Sequence, residues 1–144
     1  MMRLDRPRYS FNQAIDICID GITGNDVLRD KLCRGKTALT SGEAIYSSLS
    51  GVGNLFTIQP IVDRGNQDSI IAEELKRTEL IKIYDQYFVP EGKPARCIYD
   101  EILNSAKEKC PFCGGIGTPK NLDHFLEHNL LEPLTYLHYH NQYL

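Results

Sequence analysis

Cys110-Pro-Phe-Cys113, followed at once by Gly114-Gly115 and a short way on by Leu122-Asp123-His124-Phe125, constrains this chain more than any other feature. Cysteines separated by two residues, with small residues directly after them, let two thiolates converge on one metal while the backbone folds back without side-chain clashes. That pattern reads as a zinc knuckle. The Asp-His pair adds a hard oxygen ligand for a divalent cation and an imidazole whose ordinary pKa of about 6.5 suits it to deprotonate water near neutrality. Half a zinc site beside an acid-base pair implies metal-assisted hydrolysis.

Size and composition set the frame around this stretch. A chain of 144 residues, 42% hydrophobic and 24% charged, has the make-up of one soluble globular domain with room for a small appendage. No run approaches the roughly 20 apolar residues that span a bilayer, and Met1-Met-Arg-Leu-Asp-Arg-Pro-Arg8 lacks the apolar core of a signal peptide. A cytoplasmic protein with no membrane partner is expected. The five cysteines, at 18, 33, 97, 110 and 113, form an odd, irregular set, unlike a secreted disulfide framework. Cys110 and Cys113 read as a pair, whereas Cys18, Cys33 and Cys97 fall in helical apolar patterns and are expected to be buried.

A formal net charge of −3 gives no global attraction to a polyanion, so any contact with nucleic acid has to be local. The basic residues form three groups: Arg3, Arg6 and Arg8; then Arg29, Lys31, Arg34 and Lys36; then Lys93, Arg96, Lys107, Lys109 and Lys120 around the knuckle. The third group is the candidate phosphate contact, although Asp100, Glu101 and Glu108 are interleaved with it. No Lys or Arg follows Lys120. Gly35-Lys36-Thr37 imitates the end of a phosphate-binding loop, but the glycine that the loop needs five positions earlier is Asp30. Nucleotide hydrolysis by this chain is not expected.

The pattern before the knuckle is helical. Ser10 is placed to cap a helix carrying Phe11, Ala14, Ile15, Cys18, Ile19 and Ile22. Asn25 or Asp26 starts a second, ended by Gly35, and Ser41 caps a third through Ala44, Ile45 and Leu49. Gly51 to Pro60 reads as a loop with a short extended piece. Asp68 introduces a long helix with Ile70, Ile71, Leu75, Leu80, Ile81 and Tyr84, broken at Val89-Pro90-Glu-Gly92. Pro94 opens a last helix that buries Cys97, Ile98, Ile102 and Leu103 and delivers the chain to Cys110. The expected fold class is mainly α, with a helical scaffold over residues 1–105 and a small metal-binding module over residues 106–144.

From Lys109 to Leu126 the chain resembles the start of the HNH endonuclease family, in the branch whose ββα-metal motif is threaded through a zinc-binding cysteine frame. By that resemblance Cys110 and Cys113 are the first zinc pair, and Leu122 to Phe125 is the first strand of the motif. Asp123 is then the ligand of a catalytic Mg²⁺ or Mn²⁺, and His124 is the general base that activates water against a phosphodiester of DNA. The resemblance also implies a setting in bacterial anti-phage defence beside an ATPase partner protein.

The chain departs from that family after Glu127. The family runs on to an Asn, a second Cys-x-x-Cys and a closing helix, whereas no Cys follows Cys113 here. Asn141 stands at a similar spacing from His124 to the family's middle Asn and is the candidate second ligand of the catalytic metal. The module is therefore read as incomplete, its tail as the product of a frame change or early stop, and its nuclease activity as weak or absent.

Two other readings compete on the same residues. At helical spacing His124 and His128 share a face, so that Cys110, Cys113, His124 and His128 resemble a C2H2 zinc finger, which binds nucleic acid or protein without cutting. Against it, the spacer is short and no aromatic lies between Gly114 and Lys120. In the third reading Leu130, Leu131, Leu134 and Leu137 pack on the scaffold, with His138 and His140 on the surface.

Overall fold

The computed structural model describes residues 8–54, 57–58, 68–110 and 113–117. Helix α1 (Phe11–Gly21) begins where the sequence signals it. The Ser10 hydroxyl accepts from the Gln13 backbone N–H at 3.3 Å, while the Gln13 side chain accepts from the Ser10 N–H at 2.8 Å. This reciprocal box satisfies two amide donors that a helix start otherwise leaves unpaired. Phe11, Ala14, Ile15 and Cys18 form the buried stripe of α1, with Cys18 completely buried.

Helix α2 (Asp26–Gly51) is one continuous helix of 26 residues, where the sequence suggested two short ones. The Asn25 carboxamide caps it, accepting from the Leu28 N–H at 3.1 Å. Gly35 does not end it, because Gly35 belongs to the buried stripe Leu28, Leu32, Gly35, Leu39, Tyr46 and Ser50, whose three- and four-residue spacing runs straight through. A Cβ at position 35 would lie 2.6 Å from Leu75 Cδ1 and 3.2 Å from the Ala72 carbonyl oxygen. The glycine is thus a contact point rather than a stop. Ser41 is no cap either; its hydroxyl donates to the Thr37 carbonyl one turn back at 2.9 Å. Val27 and Ile45 lie off that stripe and are 68% and 58% exposed.

The element that closes on Gly35 is a hairpin, β1 (Ile70–Ala72) with β2 (Leu75–Lys76), antiparallel and bulged. It replaces the first part of the long helix expected after Asp68. The turn at Glu73, with φ at +55°, reverses the chain and leaves Ala72 and Leu75 facing the core. Helix α3 (Arg77–Ile83) follows directly, its start held by the Glu79 carboxylate accepting from the Lys76 N–H at 2.9 Å. It widens into a π-helical turn, Tyr84–Phe88, in which Tyr84 and Phe88 stack with ring centres 5.7 Å apart. Helix α4 (Arg96–Ser105) starts two residues after Pro94, and Ile98, Tyr99 and Ile102 face inward.

One core joins these elements: Phe11, Ile15 and Cys18 from α1, Leu28, Leu32 and Leu39 from α2, Leu75 from the hairpin, Leu80 and Ile83 from α3, and Phe88 and Ile102 beyond. The chain is mainly helical, as expected from its periodicity. Cys33 and Cys97 depart from expectation. Both are exposed, Cys33 because it lies off the buried stripe of α2 and Cys97 because it precedes the inward-facing Ile98. The Cys97 thiol instead donates to the Pro94 carbonyl at 3.1 Å. No helix among the described residues is long and apolar enough to cross a membrane.

Candidate metal-binding knuckle

α4 ends at Ser105, and the chain turns back on itself within a few residues to present Cys110 and Cys113. The reversal uses Lys107 and Glu108, with φ of +50° and +59°. Side chains with a Cβ enter this left-handed region at a cost of about 1–2 kcal/mol per residue, so two in succession are held there by the bonds around them. The Lys107 N–H donates to the Asn104 carbonyl at 3.1 Å and the Lys109 N–H to the Ala106 carbonyl at 3.0 Å. Neither Lys nor Glu signals this geometry in a sequence.

A tight hairpin follows. The Gly114 N–H donates to the Cys110 carbonyl at 2.8 Å, the Cys110 N–H to the Gly115 carbonyl at 2.9 Å, and the Gly117 N–H to the Glu108 carbonyl at 3.0 Å. An antiparallel bridge pairs Lys109 with Ile116. Gly114 has φ at +70°, the conformation that lets the chain turn just after the second cysteine. A Cβ at position 115 would lie 3.4 Å from Cys113 Sγ, so the glycine keeps the thiol's flank clear. Cys110 is half-buried and Cys113 exposed.

The donor chemistry fits zinc. Two thiols in one hydrogen-bonded turn are soft ligands with access from solvent. Among the described residues no group of three or more His, Cys, Asp or Glu side chains gathers to complete a site. Asp123, His124, His128, His138, His140 and Asn141 lie outside the described residues, as does Lys120. The Leu130, Leu131, Leu134 and Leu137 segment lies outside them too.

The structure sorts the basic groups. Lys31 pairs with Glu79 at 2.7 Å, Arg34 with Glu74 at 2.7 Å, Lys36 with Asp16 at 2.6 Å and Arg29 with Asp26 at 3.0 Å. The second group therefore ties α2 to its neighbours and to its own first turn. Arg8 pairs with Glu101 at 3.2 Å, while Arg3 and Arg6 lie outside the described residues. In the third group Arg96 is engaged by Asp100 at 2.7 Å and lies over the Tyr99 ring, and Lys93 lies over the Tyr87 ring. Among the described residues Lys107 and Lys109, both exposed, are cations at the knuckle itself.

No protein-family model matches the chain, and no solved structure matches it. Among curated proteins the chain is similar to protein ea31 of Escherichia phage lambda, with 35% identity over 129 residues, which is 88% of this chain and 42% of the relative. The chain thus spans less than half the length of that relative.

Proposed function

We propose that this chain carries a zinc-knuckle nuclease module of HNH type that acts on DNA. The observation that carries the reading is the hairpin at Cys110 to Gly117, in which three backbone hydrogen bonds and the left-handed Gly114 present two cysteines as a preformed half-site. The resemblance of residues 109–126 to the family adds the roles beyond it. Cys110 and Cys113 hold a structural zinc that pins the turn. Asp123 is a ligand for Mg²⁺ or Mn²⁺, with Asn141 the candidate second ligand. The divalent ion, when bound, offsets the charge that builds on the phosphate and on the departing oxygen.

His124 acts by proton transfer. It takes a proton from the water whose oxygen attacks phosphorus, and the bond from phosphorus to the 3′-oxygen breaks. Lys107 and Lys109 lie beside the knuckle, where they can neutralise backbone phosphates locally despite the chain's overall negative charge. An ATPase partner and a role in anti-phage defence belong to the same proposal through the family resemblance alone.

The test is plasmid nicking with Mg²⁺ or Mn²⁺, wild type against His124→Ala. Weak nicking by the wild type that falls by about 10²–10⁴-fold in the variant is expected for loss of a general base. Nicking that survives the substitution unchanged rejects His124 in that role. The C2H2 alternative leans on the same hairpin and makes a different demand: zinc content collapses in His128→Ala, because only there is His128 a ligand.

A further inference from the structure

We propose that the reversal at Lys107 and Glu108 is a zinc-dependent switch: without metal α4 continues through these residues in most molecules, and zinc on Cys110 and Cys113 selects the turn. The inference rests on the reading of these two cysteines as zinc ligands. The Lys109 N–H donates to the Ala106 carbonyl at 3.0 Å, and both residues between them have positive φ, +50° at Lys107 and +59° at Glu108. These are the marks of a type I′ turn. Its two central positions favour Asn-Gly, because both must enter the left-handed region that a Cβ disfavours. Here they are filled by two residues with a Cβ.

The competing conformation is written in the same residues. Ala106, Lys107, Glu108 and Lys109 are all good helix formers, and no Gly, Pro or Asn stands among them to stop a helix. They follow α4 directly, and Ala106 is still in the helical region with φ −71° and ψ −14°. Local preference and backbone thus disagree at the link between α4 and the knuckle, and such strain persists only where surrounding contacts over-determine it. Those contacts are the hairpin's. The Glu108 carbonyl accepts from the Gly117 N–H at 3.0 Å, the Cys110 N–H donates to the Gly115 carbonyl at 2.9 Å, and Lys109 bridges to Ile116. All but Cys110 are exposed, where a backbone bond replaces one to water and its net worth is of the same order as the strain it opposes. The turn pre-exists as the minor form. Zinc binding needs the two thiols to converge, as they do in the hairpin, so occupancy is tied to the turn and shifts the population toward it. Lys107 lies in the turn and Lys109 in the bridge, so the same shift sets both cations beside the knuckle.

Zinc affinity of the full chain, measured by competition with a chromophoric chelator, and NMR Cα shifts of residues 106–109 test the switch together. In wild type the Lys107 and Glu108 shifts are expected to be largely helical without metal and to leave the helical range on saturation with zinc. Glu108→Gly removes the cost of the left-handed region and weakens the competing helix, so it should bind zinc about tenfold more tightly. Its Lys107 shift should be turn-like with or without metal. Glu108→Gln loses the same charge but keeps the Cβ, and should bind no more tightly than wild type. Equal affinity in wild type and Glu108→Gly, or wild-type shifts that zinc does not move, overturns the switch and leaves the zinc ligands standing. Tightening in Glu108→Gln that matches Glu108→Gly overturns it too, since charge then sets the affinity. A chain that takes up no zinc at all overturns both the switch and the ligand assignment beneath it.

Discussion

The scaffold and the knuckle are held by different forces. In the scaffold Ile15, Leu32, Leu75 and Ile83 are completely buried, and the elements carrying them are far apart in sequence. Its stability comes from apolar area removed from water and from close packing, as at Gly35 against Leu75. In the knuckle every described residue from Cys113 to Gly117 is exposed, and backbone hydrogen bonds at Cys110, Gly114 and Gly117 hold the turn. The scaffold is therefore a platform held by its own packing. The knuckle is a preformed shape with little stability of its own, and it sits next to a strained reversal at Lys107 and Glu108.

Thiol chemistry gives the largest contrast between the two. Burial pushes the Cys18 thiol up to about 12, so it is both inaccessible and protonated. In native protein treated with chelator, iodoacetamide should label Cys113 rapidly, while Cys18 waits for global opening. A stability of even about 5 kcal/mol slows its labelling on the order of 10³-fold. Cys18 reacting as fast as Cys113, followed by peptide mass mapping, would erase the distinction between platform and knuckle.

A core truncation is the next largest test. Leu75 fills the space that Gly35 leaves on α2, so Leu75→Ala removes buried methyl groups where a rigid helix limits collapse of the cavity. Urea unfolding should show a loss of about 3 kcal/mol. Zinc uptake at low denaturant should not change, since none of the described hairpin residues, 110 and 113–117, belongs to that core. A Leu75→Ala variant that also loses zinc would show the knuckle to be an extension of the core.

Much of the platform was legible because its signals are local. Ser10 and the apolar spacing after it announced α1, and the breaker at Val89 to Gly92 is a real turn, with Gly92 at φ +81°. What was misread depended on partners distant in sequence. Gly35 resembles a helix stop until Leu75 is seen packing on it, and Ile70, Ile71 and Leu75 fit a helical count while pairing as strands around Glu73. Cys33 and Cys97 were assigned to the core on neighbouring apolar residues, although a helix buries only one stripe. The turn was legible from Cys110, Cys113 and the glycines after them, because it is written in the residues that make it. Its approach was not, since Lys107 and Glu108 adopt a conformation that their types disfavour.

The smallest effect concerns how the platform is tied together. Lys31 on α2 reaches Glu79 on α3 at 2.7 Å, with both side chains mostly buried. Burial pushes the Glu79 carboxyl up, but the Lys31 hydrogen bond, the Lys76 backbone N–H and the two lysine charges outweigh it and hold the group below its ordinary 4.5. A carboxyl depressed on folding stabilises the native state above its unfolded pKa, and the contribution fades as pH falls through the lower, folded value. Urea midpoints for wild type should therefore decline as pH drops below about 4.5, beyond the general acid loss retained by Glu79→Gln. At neutral pH the variant should cost no more than about 1 kcal/mol, since Gln still accepts from the Lys76 N–H and a single partly exposed ion pair is worth little. Superimposable pH profiles for the two proteins would mean that α2 and α3 are joined by apolar contact alone. The Lys31–Glu79 pair would then add nothing to the burial that already separates the platform from the knuckle.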